Sequence, residues 1–131
     1  MTPPLQGIDH IHVFVADRAA AERWYADVLG FTRMTEFESW ATPNGPLMIE
    51  DPSGSIQLAL FEKPAQPCRS TIAFAADAEQ FFAWRRHLAK ALGREPEPVD
   101  HGKSWSMYFN DPDDNPYEIT SYDYDEVAVQ L

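Results

Sequence analysis

Residues 9–17 read DHIHVFVAD, and this stretch alternates apolar side chains with a second row that contains two histidines. Successive side chains of a β-strand point to opposite faces, so the stretch predicts a strand with one core-facing row and one row that faces elsewhere. The core-facing row is Ile11, Val13 and Val15. His10 and His12 share the opposite face, where they are candidates for structural hydrogen bonding or for ligand binding.

The two halves of the chain have the same helix-capping and turn residues at equivalent positions. Asp17 and Asp77 each occupy a predicted helix N-cap, and they stand 60 residues apart. Asp51-Pro52 and Asp111-Pro112 repeat at the same offset, each in a predicted turn before a last strand. The spacing indicates an internal duplication of one supersecondary unit.

The hydrophobic periodicity predicts the same βαβββ order in each half, with Gly30 and Gly93 ending the helices. The first module, residues 8–61, contains a strand at 8–15, a helix at 18–29, and strands at 32–40, 46–50 and 55–61. The second module, residues 70–122, contains a strand at 70–76, a helix at 78–92, and strands at 95–99, 104–110 and 116–122. We therefore expect an α+β fold in which residues 1–131 form a single domain of two modules.

Composition narrows the classes of function. The chain has 131 residues, 10 basic and 21 acidic side chains and a formal net charge of −11, so a nucleic-acid partner is not expected. No apolar run is long enough to span a membrane and no signal sequence is evident, so we expect no membrane partner and a cytoplasmic location. The single cysteine, Cys68, excludes a disulfide framework and a thiolate zinc cluster within one chain.

These features together resemble the vicinal oxygen chelate superfamily, which includes glyoxalase I, fosfomycin resistance proteins, extradiol dioxygenases and bleomycin resistance proteins. The similarity is carried by the duplicated βαβββ order and by three motifs. The motifs are the histidine seven residues before Asp17, the helix end WYADVLGF at residues 24–31, and the closing segment DPDDNPYE at residues 111–118. The resemblance implies a cup-shaped mixed sheet in each chain and a site for a divalent metal. It also implies a homodimer, with the modules pairing within or between chains.

The same resemblance implies the metal ligands. His10 matches the ligand of the first strand, Glu118 matches the closing carboxylate, and Gln57 takes the place of a ligand at the end of the first module. The second module lacks the usual histidine: either Thr71 or Ser70 occupies that position, and neither hydroxyl is a good metal ligand at neutral pH. His12 is an alternative ligand or a polar wall residue.

Two further residues are candidates for acid–base chemistry. His101 precedes Gly102 in the loop before the strand at 104–110, where it is placed for proton transfer or is a solvent-exposed loop histidine. Tyr108 shares the polar row of that strand and can present its hydroxyl to a cavity. Asp114 stands where similar proteins often have glycine, and aspartate tolerates the left-handed backbone conformation that this turn requires.

Two functions are consistent with this resemblance. The first is a metal-dependent enzyme acting on a small oxygen-rich substrate by lyase or isomerase, transferase or dioxygenase chemistry, with Glu118, His101 and Tyr108 as catalytic candidates. Imidazole and oxygen ligands without thiolate favour Mn, Fe, Co, Ni or Zn. The second is a metal-free protein that binds a cationic small molecule through its acidic surface and aromatic side chains. The aromatic candidates for this role are Trp40, Phe61, Trp105 and Tyr108.

Overall fold

The computed structural model describes residues 2–64 and 70–131, and Cys68 lies outside them. The chain divides into two compact units, Met1–Gln66 and Pro67–Leu131. Each unit contains one four-stranded mixed sheet and helices, so the predicted α+β class with a repeated βαβββ order is confirmed. Among the described residues, no helix has both the length and the apolar character that a membrane crossing requires.

The first unit follows the predicted order, but the end of its helix is π-helical and a 3-10 helix replaces most of the strand predicted at 32–40. Its elements are β1 (Ile11–Val15), α1 (Arg18–Trp24), a π-helical turn (Tyr25–Leu29), β2 (Thr32–Arg33), a 3-10 helix (Thr35–Trp40), β3 (Pro46–Glu50) and β4 (Gln57–Glu62). The strands lie in the order β1-β4-β3-β2. β1 runs parallel to β4, and the other neighbouring strands are antiparallel.

The alternation predicted for β1 is present. Val13 and Val15 are buried, whereas His12 and Phe14 are exposed on the other face. Parallel pairing places His12 beside Ala59 of β4. The histidine row of β1 therefore continues onto β4 through Ala59 and its neighbours of the same parity.

The first helix begins and ends where the sequence predicts. The Asp17 side chain accepts a hydrogen bond from the Ala20 backbone N–H at 3.0 Å, which satisfies one of the free donors at the helix start. Gly30 ends the helical segment with φ of 74°, a conformation that costs glycine little. The last turn before Gly30 is π-helical, which the apolar periodicity did not indicate.

The second unit repeats the arrangement and adds a C-terminal helix. Its elements are β5 (Ile72–Ala75), α2 (Ala78–Leu92), β6 (Val99–Asp100), β7 (Trp105–Asn110), β8 (Pro116–Ser121) and α3 (Tyr124–Ala128). The strands lie in the order β5-β8-β7-β6, with β5 parallel to β8. The bounds of α2 match the prediction, and Gly93 ends it with φ of 74°.

The duplicated Asp-Pro turns have the predicted structure. The Asp111 carboxylate accepts hydrogen bonds from the backbone N–H groups of Asp113 and Asn115 and from the Asn115 amide. Asp114 adopts φ of 63°, which confirms the expected left-handed position in this turn. In the first unit, burial raises the pKa of Asp51, but hydrogen bonds from Ser53 and from the backbone of the turn outweigh it and hold this pKa below its usual value.

The predicted strand at 32–40 is wrong beyond Arg33. Residues 35–40 form a 3-10 helix that is kinked at Phe37. Met34, Phe37 and Trp40 recur every three residues, which is the repeat of a 3-10 helix and not of a strand. Met34 and Phe37 belong to an apolar cluster with Met48, Ala59 and Phe61, and this packing offsets the poorer hydrogen bonding of the 3-10 turns.

Two features of the second unit also differ from the prediction. The strand expected at 95–99 is reduced to Val99–Asp100, because Pro96 and Pro98 lack the backbone N–H that a sheet ladder needs. The helix α3 was not predicted. It buries Val127 and stacks Tyr124 on Trp105, with the ring centroids 5.7 Å apart.

The start of α2 provides a test of local stability. Asp77 and Gln80 form a reciprocal capping box, with 2.8 Å and 2.9 Å between the bonded atoms. Asp77→Ala should lower the free energy of unfolding by about 1 kcal/mol, because the Gln80 backbone N–H loses its side-chain acceptor. Urea denaturation followed by circular dichroism measures this change. Asp77→Asn should retain most of the stability, and an equal loss in Glu79→Ala, which alters an exposed side chain of the same turn, would contradict the capping role.

Candidate functional site

The two histidines of the first unit are in direct contact. His10 Nε2 and His12 Nε2 are 3.0 Å apart, and the two rings stack with centroids 5.0 Å apart and planes inclined by 20°. His10 Nδ1 donates to the Asp9 carboxylate at 2.8 Å. Because a carboxylate only accepts, neutral His10 carries its proton on Nδ1, and its Nε2 accepts from the Nε2–H of His12.

An apolar cluster supports this pair. The His12 ring packs against Phe61 of β4, with 4.7 Å between centroids, and Phe14 contacts the same phenyl ring at 6.0 Å. Phe61 packs on the buried cluster of Met34, Met48 and Ala59. The His12 imidazole therefore lies against an aromatic side chain that rests on the buried cluster of the first unit.

Gln57 lies in register with the histidine row. It begins β4, it is half-buried, and it pairs with Glu50 of β3. Extending the Ile11–Leu58 pairing by one residue sets Gln57 opposite His10. The predicted ligands of the first unit therefore occupy neighbouring positions on adjacent strands.

In the second unit, the Glu118 carboxylate accepts a hydrogen bond from the Ser106 hydroxyl. The buried Ser106 hydroxyl lies 2.6 Å from Glu118 Oε2 and 3.0 Å from the Thr120 hydroxyl. Pairing within the sheet sets Tyr108 on one side of Glu118 and Ala73 on the other. Ser106 as the partner of Glu118 was not predicted, although both positions fall on the polar rows of their strands.

The register also decides which hydroxyl residue stands on the Glu118 face. Ile72 and Phe74 pair with the buried Tyr117 and Ile119, so they belong to the core face. The alternation therefore assigns Thr71, and not Ser70, to the row of Ala73. Neither Thr71 nor Ala73 supplies an imidazole, so the β5 row lacks the nitrogen ligand that the resemblance implies at this strand.

His101 and Tyr108 are brought together in the β6–β7 hairpin. His101 Nε2 and the Tyr108 hydroxyl are hydrogen-bonded at 2.9 Å, and both side chains are exposed. The turn is closed by the His101 backbone N–H donating to the Ser104 carbonyl, and Gly102 has φ of 81°. Because Tyr108 is also the sheet neighbour of Glu118, all three candidate catalytic residues lie in one region of the second unit.

A second polar contact borders this hairpin. The Tyr124 hydroxyl donates to Asp100 at 2.7 Å, and Asp100 also accepts from the Gly102 backbone. The hydrogen bond from Tyr124 holds the pKa of Asp100 below its usual value, and the same bond raises the pKa of Tyr124. Asp100 therefore remains ionised beside the His101 turn.

The described residues contain no group of three or more His, Cys, Asp or Glu side chains arranged to hold a metal ion. In the first unit the candidate ligands are the hydrogen-bonded Asp9–His10–His12 chain and Gln57. In the second unit the candidate ligand is Glu118, hydrogen-bonded to the Ser106 hydroxyl. Within neither set do three histidine or carboxylate side chains converge on one point. Any ion bound to one set alone retains open coordination positions for water or substrate.

Comparisons with known proteins establish the family. The sequence profile of the Glyoxalase/Bleomycin resistance protein/Dioxygenase superfamily matches residues 7–119. The chain therefore belongs to this superfamily. No curated protein matches the chain in sequence.

Several solved structures share the fold. The fosfomycin resistance protein FosX from Listeria monocytogenes is 19% identical, with coverage of 95% of this chain and 99% of that chain and a TM-score of 0.70. A second crystal structure of that protein, in complex with Mn(II) and sulfate, gives 17% identity, coverage of 97% and 98%, and a TM-score of 0.68. A glyoxylase/bleomycin resistance protein/dioxygenase domain from Frankia sp. EAN1pec is 20% identical, with coverage of 91% and 93% and a TM-score of 0.71.

The contact between Ser106 and Glu118 yields a direct prediction. Ser106→Ala should lower the free energy of unfolding by about 1 to 2 kcal/mol, because a hydrogen bond to a carboxylate inside the sheet is lost. A double-mutant cycle with Glu118→Met should give a coupling energy of at least about 0.5 kcal/mol. The control cycle pairs Ser106→Ala with Glu79→Ala and should be additive. Additive behaviour in both cycles would contradict an anchoring role for Ser106.

Proposed function

We propose that the protein is a divalent-metal-dependent enzyme of its superfamily that acts on a small oxygen-rich substrate. The observation that carries this proposal is the Asp9–His10–His12 chain, in which a carboxylate fixes the tautomer of His10 and leaves Nε2 as the metal-facing nitrogen. His10, Gln57 and Glu118 are the proposed metal ligands. The proposal also treats the two modules as one functional domain.

The donor set fits a borderline or hard divalent ion. Imidazole nitrogen together with carboxylate and amide oxygen suits Mn, Fe, Co, Ni or Zn, and the only cysteine of the chain is Cys68. Mn(II) is the ion bound in the L. monocytogenes FosX complex. This similarity supports Mn(II) as the first ion to test.

A bound divalent ion would supply Lewis acidity for two oxygens of the substrate. The residues of the chain then have separate tasks. Glu118, whose position is constrained by Ser106, supplies an oxygen ligand or accepts a proton, and the hydrogen-bonded pair of Tyr108 and His101 donates or removes a proton at the substrate. This division of tasks is compatible with lyase or isomerase, transferase and dioxygenase reactions on vicinal oxygens.

A second candidate function is metal-free binding of a cationic small molecule. It is favoured by the aromatic face of the first unit, where the ring centroids of Phe37 and Trp40 lie 4.3 Å apart and Trp40 is 48% exposed. The net charge of −11 would attract a cation. Such binding would weaken as salt is added, because charges are screened over about 8 Å at physiological ionic strength.

We further propose that the working form is a two-fold homodimer. β1 and β2 are the outer strands of the sheet of the first unit, and outer strands are commonly covered by a second copy of the chain. The interface should bury more than about 1,000 Å². Light scattering at micromolar concentration should then give twice the 14.9 kDa chain mass, and the monomer mass would exclude the dimer.

Activity measurements separate the two candidate functions. Protein reconstituted with each of the five ions is tested for turnover of dicarbonyl–thiol adducts, catechols and fosfomycin. We expect turnover with at least one ion, and a loss of at least about 100-fold in kcat/KM for His10→Ala and Glu118→Gln, because each removes a metal ligand. His87→Ala, which alters an exposed histidine of α2, is the matched control.

The opposite pattern would favour the binder. Salt-sensitive binding of a bleomycin-like cation that is unchanged in His10→Ala, without turnover of any compound in the panel, would contradict the enzyme. Salt-insensitive turnover that is lost in His10→Ala would contradict the binder.

A further inference from the structure

We propose that His12 is a metal ligand and that His10 and His12 form a two-imidazole chelate on a single strand. This inference rests on the metal-binding part of the proposed function and adds a nitrogen ligand that the β5 row does not supply. It starts from the contact between the two Nε2 atoms, which are 3.0 Å apart.

The separation of the two nitrogens suits a shared ion. Two nitrogens bound at about 2.1 Å on adjacent corners of an octahedron lie about 3.0 Å apart, whereas tetrahedral geometry separates them by about 3.4 Å. The Nε2 atoms now meet through a hydrogen bond. For both nitrogens to bind one ion, the rings must turn so that both lone pairs point toward it. The 3.0 Å separation matches the octahedral value, so we expect an ion that prefers octahedral coordination.

Replacing the hydrogen bond between His10 and His12 by a shared ion requires one proton of His12 to move. His10 keeps its proton on Nδ1, where the Asp9 carboxylate accepts it, so His10 Nε2 already has a free lone pair for a metal. His12 holds its proton on Nε2 and must move it to Nδ1 before it binds the ion. When both rings are neutral, metal binding releases no net proton, and when one ring is protonated, binding releases one proton.

The surroundings of His12 hold its ring in place. Phe61 packs against the imidazole at 4.7 Å between centroids, and Phe61 itself rests on the buried cluster of the first unit. A ring held in this way loses less side-chain entropy when it binds an ion. The arrangement is therefore better suited to chelation than two freely rotating histidines.

The composition of the β5 row explains why a second imidazole in β1 matters. Glu118 pairs with Ala73, and the preceding residue of the same row is Thr71. One imidazole with a carboxylate and an amide holds a transition ion weakly, and a hydroxyl adds little. His12 restores the second nitrogen and still leaves coordination positions for oxygen ligands, water and substrate.

The test measures metal binding and not only turnover. The affinity of Ni(II) and Mn(II) for wild type, His10→Ala, His12→Ala and His12→Asn is measured by competition with a chromophoric chelator. We expect each histidine variant to weaken Ni(II) binding at least about 10-fold, and His87→Ala to leave it unchanged. Asp9→Asn should weaken binding only a few-fold, because the Asp9 side chain is 88% exposed.

A spectroscopic readout counts the nitrogens directly. Pulsed electron paramagnetic resonance of Mn(II) bound to protein with 15N-labelled histidine should show two coupled imidazoles in wild type and one in His12→Ala. Circular dichroism and the thermal midpoint of His12→Asn verify that the variant is folded. A single coupled imidazole in wild type, or unchanged affinity in both His12 variants, would overturn the chelate.

The outcomes distinguish this inference from the proposed function. Loss of metal in His10→Ala and Glu118→Gln, with full affinity in His12→Ala, would remove His12 from the ligand set and leave the metal-dependent enzyme in place. Two coupled imidazoles without turnover of any substrate would retain the chelate and count against the enzyme. Absence of Mn(II) and Ni(II) binding in wild type would overturn the chelate and leave the histidines as a hydrogen-bonded pair.

Discussion

The parallel pairing of the first and last strands in each module is the constraint on which both candidate sites depend. It sets the residue that opens a module beside the residue that closes it, on one face of the sheet. The strand pairing differs between the two modules. Ile11 pairs with Leu58, which follows it by 47 residues, whereas Ile72 pairs with Tyr117, which follows it by 45 residues. The duplicated sequence therefore does not produce two equivalent sites. In the first module the imidazole of His10 lies opposite the amide of Gln57. In the second module the methyl group of Ala73 lies opposite the carboxylate of Glu118.

Much of the fold could be predicted because local signals agree with tertiary packing. The period of two in β1, the apolar stripe of α2 and the positive φ of the helix-ending Gly30 and Gly93 each have one physical cause, and the structure confirms them. The errors arise where the local sequence is too short to decide the element or where tertiary packing decides it. The 3-10 helix follows from a repeat of three in a segment too short to separate helix from strand by composition, and α3 follows from packing on Trp105 that no local pattern encodes.

The candidate site could be predicted only in part. Strand alternation sets His10 and His12 on one face and Tyr108 with Ser106 on another, since a face follows from parity alone. The contacts within each face depend on side-chain rotamers and on strand register. Nothing in the sequence indicates that the two Nε2 atoms meet, that the Ser106 hydroxyl binds Glu118, or that the hairpin turn returns His101 to Tyr108.

The central claim is that the imidazole face of the first module holds a divalent ion. Anomalous X-ray diffraction from crystals grown with Mn(II), recorded on both sides of the manganese absorption edge, locates the ion without reference to activity. We expect an anomalous peak within bonding distance of His10 Nε2, with at least one oxygen ligand. Saturating Mn(II) with no peak at His10, or with peaks only at carboxylates on the surface, would contradict the claim.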